Sequence, residues 1–314
     1  MNTTIAVMQT IGIVLVVAGH SFYKNGDHPL CLWIYSFHMP LFFFVSGFLI
    51  PYNNDRKGIA PQGISLADTA RRRARRLLAP YLIISTLVFV PKALMSALAV
   101  RPTELTPQAY LHSMLWPYDN PIGSFWFLPT LFLITIAFTA YIRRYGNALP
   151  LLLLLTAVNP FITISKSLPL NPDGVLFFMP YLVAGYLCCE RGWQHAVERN
   201  AAVLAPFALL VSLTSLYVCL KTGYNPTNIL AATSGIIMCM TAGQWYERRG
   251  CKFLNHLFGA SYTIYIYSWF VQALCFQVIM RLADLPLLPT AIAATLLGIY
   301  VPLMVKRRFG GLAV

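Results

Sequence analysis

FWFLPTLFLITIAFTAYI, Phe125–Ile142, is 18 residues without a charge, and Arg143-Arg144 follows it at once. A helix of that length approaches the roughly 30 Å hydrocarbon core of a bilayer. Its apolar residues do not alternate with polar ones, as the strands of a membrane barrel would require. Helices and closed barrels are the only architectures that satisfy every backbone hydrogen bond in lipid. The stretch therefore predicts a spanning helix, with its arginine pair at the cytoplasmic end.

Outward from this run the pattern recurs. Of 314 residues, 58% are hydrophobic, and only 23 Lys+Arg and 10 Asp+Glu carry charge; the mean hydropathy is +0.64. That charged share is about half of what a soluble domain carries, so a soluble protein is excluded. Aromatic residues at 14% exclude a disordered chain. Ten runs predict spanning helices: Thr4–Phe22, Cys31–Ile50, Leu77–Val100, Phe125–Ile142, Leu149–Ile164, Leu168–Cys189, Ala201–Leu220, Asn228–Trp245, Phe258–Met280 and Leu287–Val305. The fifth is short and interrupted by Asn159-Pro160. The longest polar stretch, Pro51–Arg76, holds only 26 residues and leaves no room for a soluble domain. The expectation is an all-α, polytopic membrane protein with about ten transmembrane helices, read as one domain over residues 1–314.

Loop charge sets the orientation. With the N-terminus inside, ten spans return the C-terminus to the same side, and 17 of the 23 basic residues fall in cytoplasmic loops. The others are Lys24, Lys92, Arg101, Lys166, Lys221 and Arg281, while the acidic residues divide five and five. An asymmetry carried by Lys and Arg alone is the positive-inside pattern. It also accounts for the net charge of +13 without a nucleic-acid partner. The expected location is the cell (cytoplasmic or inner) membrane, multi-pass, with both termini cytoplasmic. No cleavable signal stands out, so the first run reads as a retained helix. The seven cysteines are scattered, without a Cys-x-x-Cys pair, and no metal site is expected.

Ionisable groups inside spanning helices are costly and mark function. Helix one ends in Ala-Gly-His20-Ser, and His38 sits about seven residues into helix two from its outer end. The two helices are antiparallel and joined by a short loop, so both imidazoles can meet in the outer half. Neutral histidines there suit a proton acceptor and a hydrogen-bonding partner. The alternative is a wetted interfacial His20, and a His38 bonded to a neighbouring backbone carbonyl.

Four motifs follow in chain order: Val17-Ala18-Gly19-His20, Phe37–Phe48 (FHMPLFFFVSGF), Arg73–Tyr81 (RARRLLAPY) and Ser124–Leu128 (SFWFL). In these the chain resembles the acyltransferase-3 family of integral-membrane acyltransferases, and within it the branch of fucose 4-O-acetylase and Nod-factor O-acetyltransferases. Weaker matches are Met179–Tyr186 and Gly259–Tyr265. The resemblance implies an O-acyltransferase, usually of acetyl groups, with cytoplasmic acetyl-CoA or another acyl-CoA as co-substrate and no bound cofactor. The acceptor it implies is a hydroxyl of an extracytoplasmic or lipid-linked glycan. The family usually has a basic residue eleven positions before the first-helix histidine; here Gln9 stands there, offering hydrogen bonds but no charge to a donor. Nor does a histidine follow Tyr265, where the chain reads Ile266-Tyr267-Ser268-Trp269.

The run Arg71-Arg72-Arg73-Ala74-Arg75-Arg76 suits a diphosphate, because guanidinium groups bind phosphate bidentately. Arg73 and Arg76 would share a helical face, with Asp68 capping the helix that carries them. Topology and contact with anionic lipid explain the same cluster. Trp126 is either an interfacial anchor or a surface on which an acceptor sugar stacks. Ser46 reads as a small residue for helix approach or as a covalent nucleophile, and stands with Trp126 among the expected acceptor contacts. The expected partners are therefore acyl-CoA, a glycan or lipid-linked sugar, and the bilayer. A glycan transporter or flippase, or a non-catalytic subunit of an envelope-polymer system, is the alternative. Inverted repeats and midplane acidic residues, which a transporter would show, are not found.

Overall fold

A computed structural model describes residues 3–22, 28–94, 103–223, 227–250, 252–276 and 286–308. Lys24, Arg101, Cys251 and Arg281 lie outside the described residues, as do the far ends of the third and ninth expected spans. Among the described residues every regular element is helical. In chain order the α-helices are α1 (Thr3–Ser21), α2 (Pro29–Asp55), α3 (Leu66–Arg73), α4 (Ala79–Leu94), α5 (Pro107–Leu115), α6 (Phe127–Tyr145) and α7 (Leu149–Val158). They continue as α8 (Pro172–Glu190), α9 (Trp193–Arg199), α10 (Ala201–Thr222), α11 (Ile229–Arg249), α12 (Ser261–Leu274) and α13 (Leu287–Arg308).

Seven stretches are long and apolar enough to cross a membrane: α1, α2, Leu66–Leu94, Gly123–Tyr145, α8, α10 and α13. The other three expected runs are also helical. Leu149–Phe161 is shorter, as the Asn159-Pro160 interruption implies. Described α12 has 14 residues. At 21 residues α11 is long enough, but Ser234, Gly235, Thr241, Gly243 and Gln244 dilute its hydropathy. Those small and polar residues are buried against protein, which is why the helix need not be as apolar as one facing lipid. Exposed α10 is the opposite case: Val203, Phe207, Leu210 and Tyr217 are each more than half exposed, as a lipid-facing surface requires.

The chain divides into two compact units, Met1–Phe48 with Leu187–Val314, and Leu49–Tyr186. In the first, α1 is packed on most sides by α11, α12 and α13, and Ile5, Met8, Ile13 and Val17 are at most 1% exposed. A helix apolar all round belongs in such a place. Close approach depends on glycines. A Cβ on Gly235 would lie 2.1 Å from Phe37 Cγ, one on Gly243 2.8 Å from the Thr4 carbonyl, and one on Gly298 2.9 Å from Val17. Small residues are how membrane helices gain contact where no hydrophobic force drives them together.

In the second unit α3, a π turn over Ala74–Leu78 and α4 follow one another without a break, and α6 packs on α3 and the π turn. Asn120 ties the other end: its Nδ2 donates to Ser85 Oγ at 2.8 Å, and its Oδ1 accepts from Ile122 N at 3.0 Å. Tyr81 Oη donates to the Met114 carbonyl at 2.9 Å, and Asn159 Nδ2 donates to the Phe177 carbonyl on α8 at 2.8 Å. Each bond satisfies a polar group that neither lipid nor apolar protein could.

Candidate functional site

His20 occupies the last turn of α1 and His38 the third turn of α2. One ring joins them. Tyr35, one helical turn before His38, has its ring centroid 5.1 Å from that imidazole and 6.0 Å from His20. The sequence therefore placed both histidines in the correct neighbourhood, but their contact runs through an aromatic side chain that the spacing had not singled out. Gly19 makes room for it: a Cβ there would come within 3.0 Å of Tyr35 Cε1 and 3.2 Å of Ile34. Cys31 Sγ donates to the Gly19 carbonyl at 3.7 Å, and Tyr35 also packs on the cluster of Phe22, Cys31 and Ala291.

His38 is 4% exposed, and its Nδ1 lies 2.9 Å from the Ile34 carbonyl. A carbonyl can only accept, so Nδ1 carries the proton in the neutral ring and Nε2 keeps its lone pair. Nε2 has no hydrogen-bond partner among the described residues. The carbonyl bond anticipated as the structural alternative is thus present, yet it also sets the tautomer a base requires. His20 is half-buried and has no hydrogen bond among the described residues.

Beside His20 lies a polar network on three helices. Gln272 Nε2 of α12 donates to the Val17 carbonyl at 2.7 Å and to Ser21 Oγ at 2.8 Å. Thr295 Oγ1 of α13 lies 2.9 Å from the same Ser21 oxygen. These groups hold the end of α1, and so the backbone of His20, by bonds to α12 and α13. Gln272 is one of two glutamines in the run Phe258–Met280, and its partners could not be read from the sequence.

Ser46 and Gln9, on the same two helices, stand apart from this pair. Ser46 is half-buried on α2, eight residues beyond His38, which is roughly 12 Å along a helix. Gln9 lies eleven residues before His20, roughly 16 Å along α1; its carbonyl accepts from Ser261 Oγ at 3.4 Å, and its side chain has no hydrogen bond among the described residues. Within the second unit Arg73 is half-buried, with no acidic partner among the described residues, and close enough to Arg72 and Arg76 to feel their charges. The cap of this helix is Ser65, not Asp68: the Ser65 hydroxyl accepts from Asp68 N at 3.2 Å, while Asp68 lies in the first turn. The π turn then alters the spacing between Arg73 and Arg76, because its wider coil no longer superposes residues three apart as an α-helix does. Trp126, in a short 3₁₀ turn, is half-buried and stacked with Tyr118 at 5.1 Å, with Phe178 at 5.3 Å. Burial pushes the Tyr118 phenol above the usual tyrosine range, against the effect of its hydrogen bond with Asn171. Lys166 Nζ lies 5.4 Å from the centre of the Tyr118 ring.

A buried imidazole with a fixed tautomer and a bare Nε2, held by a second imidazole through one aromatic ring, can accept a proton from a hydroxyl. Residues 2–306 match the family model described as an acyltransferase domain, Acyl_transf_3. No curated protein and no solved structure matches the chain.

Proposed function

The chain belongs to this acyltransferase family, and on that premise we propose that it is a membrane O-acyltransferase, most simply an O-acetyltransferase. It moves an acyl group from cytoplasmic acyl-CoA to a hydroxyl of an extracytoplasmic or lipid-linked glycan. The observation that carries the reading is the Nδ1 bond of His38 to the Ile34 carbonyl. It leaves Nε2 as the proton acceptor of a neutral imidazole, the form that base catalysis requires. In the step proposed, Nε2 takes the proton of the acceptor hydroxyl and the oxygen forms a bond to the thioester carbonyl carbon. The carbon–sulfur bond then breaks, and the thiolate of coenzyme A leaves and is protonated. His20, through Tyr35, orients His38 and the acceptor.

For the donor we assign the phosphates to Arg73 and Arg76. A half-buried guanidinium without an acidic partner among the described residues supports this, as does the π turn, a feature that recurs at functional sites. Gln9 adds an uncharged donor group. Trp126 and Ser46 are the proposed acceptor contacts, and the stacking of Trp126 with Tyr118 directs a sugar to the exposed part of its ring. We further read ten spans, with both termini in the cytoplasm of an inner-membrane protein; helices at all ten anticipated positions and the distribution of Lys and Arg support it.

Mass spectrometry of envelope glycans from cells with and without the gene tests the activity. An acyl mass difference, restored by the native chain but not by His38→Ala, is the expected result. Base catalysis is typically worth a factor of about 10² or more, so His38→Ala should lose at least that much transfer while still inserting. Restoration by His38→Ala would remove the base assignment; accumulation of an unmodified cytoplasmic precursor would indicate transport instead.

A further inference from the structure

We propose that the first unit also holds a binding site for a primary ammonium group, in the cleft where the start of α1 meets α9 and the end of α11. The cleft has a volume of about 260 Å³. Ile5, Phe48 and Met240, each at most 2% exposed, form its apolar floor. Its polar lining is rich in acceptors. Gln244 is 6% exposed and its Nε2 donates to the Gln194 carbonyl at 3.0 Å. Because that carbonyl can only accept, the orientation of the amide is fixed, and Oε1 is left buried with no hydrogen-bond partner. One turn on, the Glu247 carboxylate accepts the Thr4 hydroxyl at 2.9 Å and has no cationic partner among the described residues. Glu198 faces the same cleft but is shared with Arg248 at 3.4 Å and His195 at 3.8 Å.

A buried acceptor without a partner on Gln244 and, one turn on, a carboxylate without a cationic partner among the described residues suit a ligand with several N–H donors and positive charge. A primary ammonium has three donors on one compact cation, and the apolar floor takes a short carbon stem. The described residues offer no group of three or more His, Cys, Asp or Glu side chains suited to a metal ion. An anion would meet two carboxylates. The ammonium can arrive on a free small amine or on a lipid headgroup, and the proposal does not depend on the acyl-transfer chemistry.

Titration calorimetry of the purified full-length chain with ethanolamine tests it, with choline as the control, since choline has the charge but no N–H donors. Ethanolamine should bind, and choline at least about tenfold more weakly, as the loss of charge-assisted hydrogen bonds implies. Glu247→Gln, an exposed position whose amide can still accept from Thr4, and Gln244→Met should each weaken ethanolamine binding by about tenfold or more. A second arm compares the thermal midpoint in nanodiscs of phosphatidylethanolamine with that in nanodiscs of phosphatidylcholine. A higher midpoint in the former, abolished by Glu247→Gln, supports the site and identifies the lipid as the source; binding of free ethanolamine with equal midpoints in the two nanodiscs identifies the small amine. Equal binding of choline, equal binding by both variants, or no response in either arm overturns the proposal.

Discussion

His38 illustrates how a bond that satisfies structure can also prepare chemistry. The Ile34 carbonyl removes the cost of burying an imidazole N–H and in the same act decides which nitrogen is basic. In the proposed mechanism Tyr35 is a positioning residue, its ring lying against both imidazoles. Tyr35→Phe is therefore expected to keep near-native transfer, whereas Tyr35→Leu should lower kcat about tenfold with the KM for acyl-CoA unchanged, as loss of orientation predicts. Equal transfer rates in the two variants would show that the ring has no such task. Glycine at 235 makes a sharper demand. A methyl group there would sit 2.1 Å from Phe37 Cγ and 2.4 Å from its Cβ, atoms near a backbone that cannot swing away. Gly235→Ala should cost on the order of 1–3 kcal/mol, the usual range for overpacking. Gly123→Ala, with open space around it, should leave the thermal midpoint where it is.

Helices were legible to the extent that hydropathy depends only on neighbours along the chain. Among the described residues a helix stands in each of the ten runs, and the weakest of them is the one with Asn159-Pro160 in it. Hydropathy missed what neighbours in space decide. The second run ends at Asp55 rather than Ile50, and the helix that carries the arginines turns π over Ala74–Leu78. Ser65, not the acidic Asp68, caps that helix, because the cap is set by the residue whose backbone leaves the helix while its side chain turns back. The π turn has no sequence signature at all. Ser65→Ala is expected to cost about 1 kcal/mol, the usual worth of a cap, measurable as a lower melting temperature with unaltered glycan transfer. At the candidate site, His20 and His38 were legible because polar groups are rare in such runs. Tyr35, Gln272 and Thr295 were not, since aromatic and amide side chains acquire meaning only through the helix they face. If the arginines bind donor, Arg73→Ala with Arg76→Ala should weaken acyl-CoA binding and make it less dependent on salt. Native affinity at every ionic strength would leave them to topology and lipid.

At the scale of the whole molecule, orientation is the most consequential expectation. Lys57 is exposed just beyond α2, and Lys57→Cys in a chain otherwise free of accessible thiols should resist an impermeant reagent until cells are opened. Labelling of intact cells would invert the topology. The placement of α1 has a further consequence, for synthesis. The helix leaves the ribosome before α11, α12 and α13, yet Thr4, Val17 and Ser21 find their partners in Glu247, Gln272 and Thr295, between 243 and 274 residues later. At translation rates of about 5–20 residues per second, α1 waits for tens of seconds with its close-packing face and polar terminus unmatched. During that interval the nascent chain must be sheltered, by the insertion machinery or by provisional neighbours. A ribosome stalled before α12 would release a membrane protein whose α1 is still unassembled, and quality-control proteases would meet it in that state.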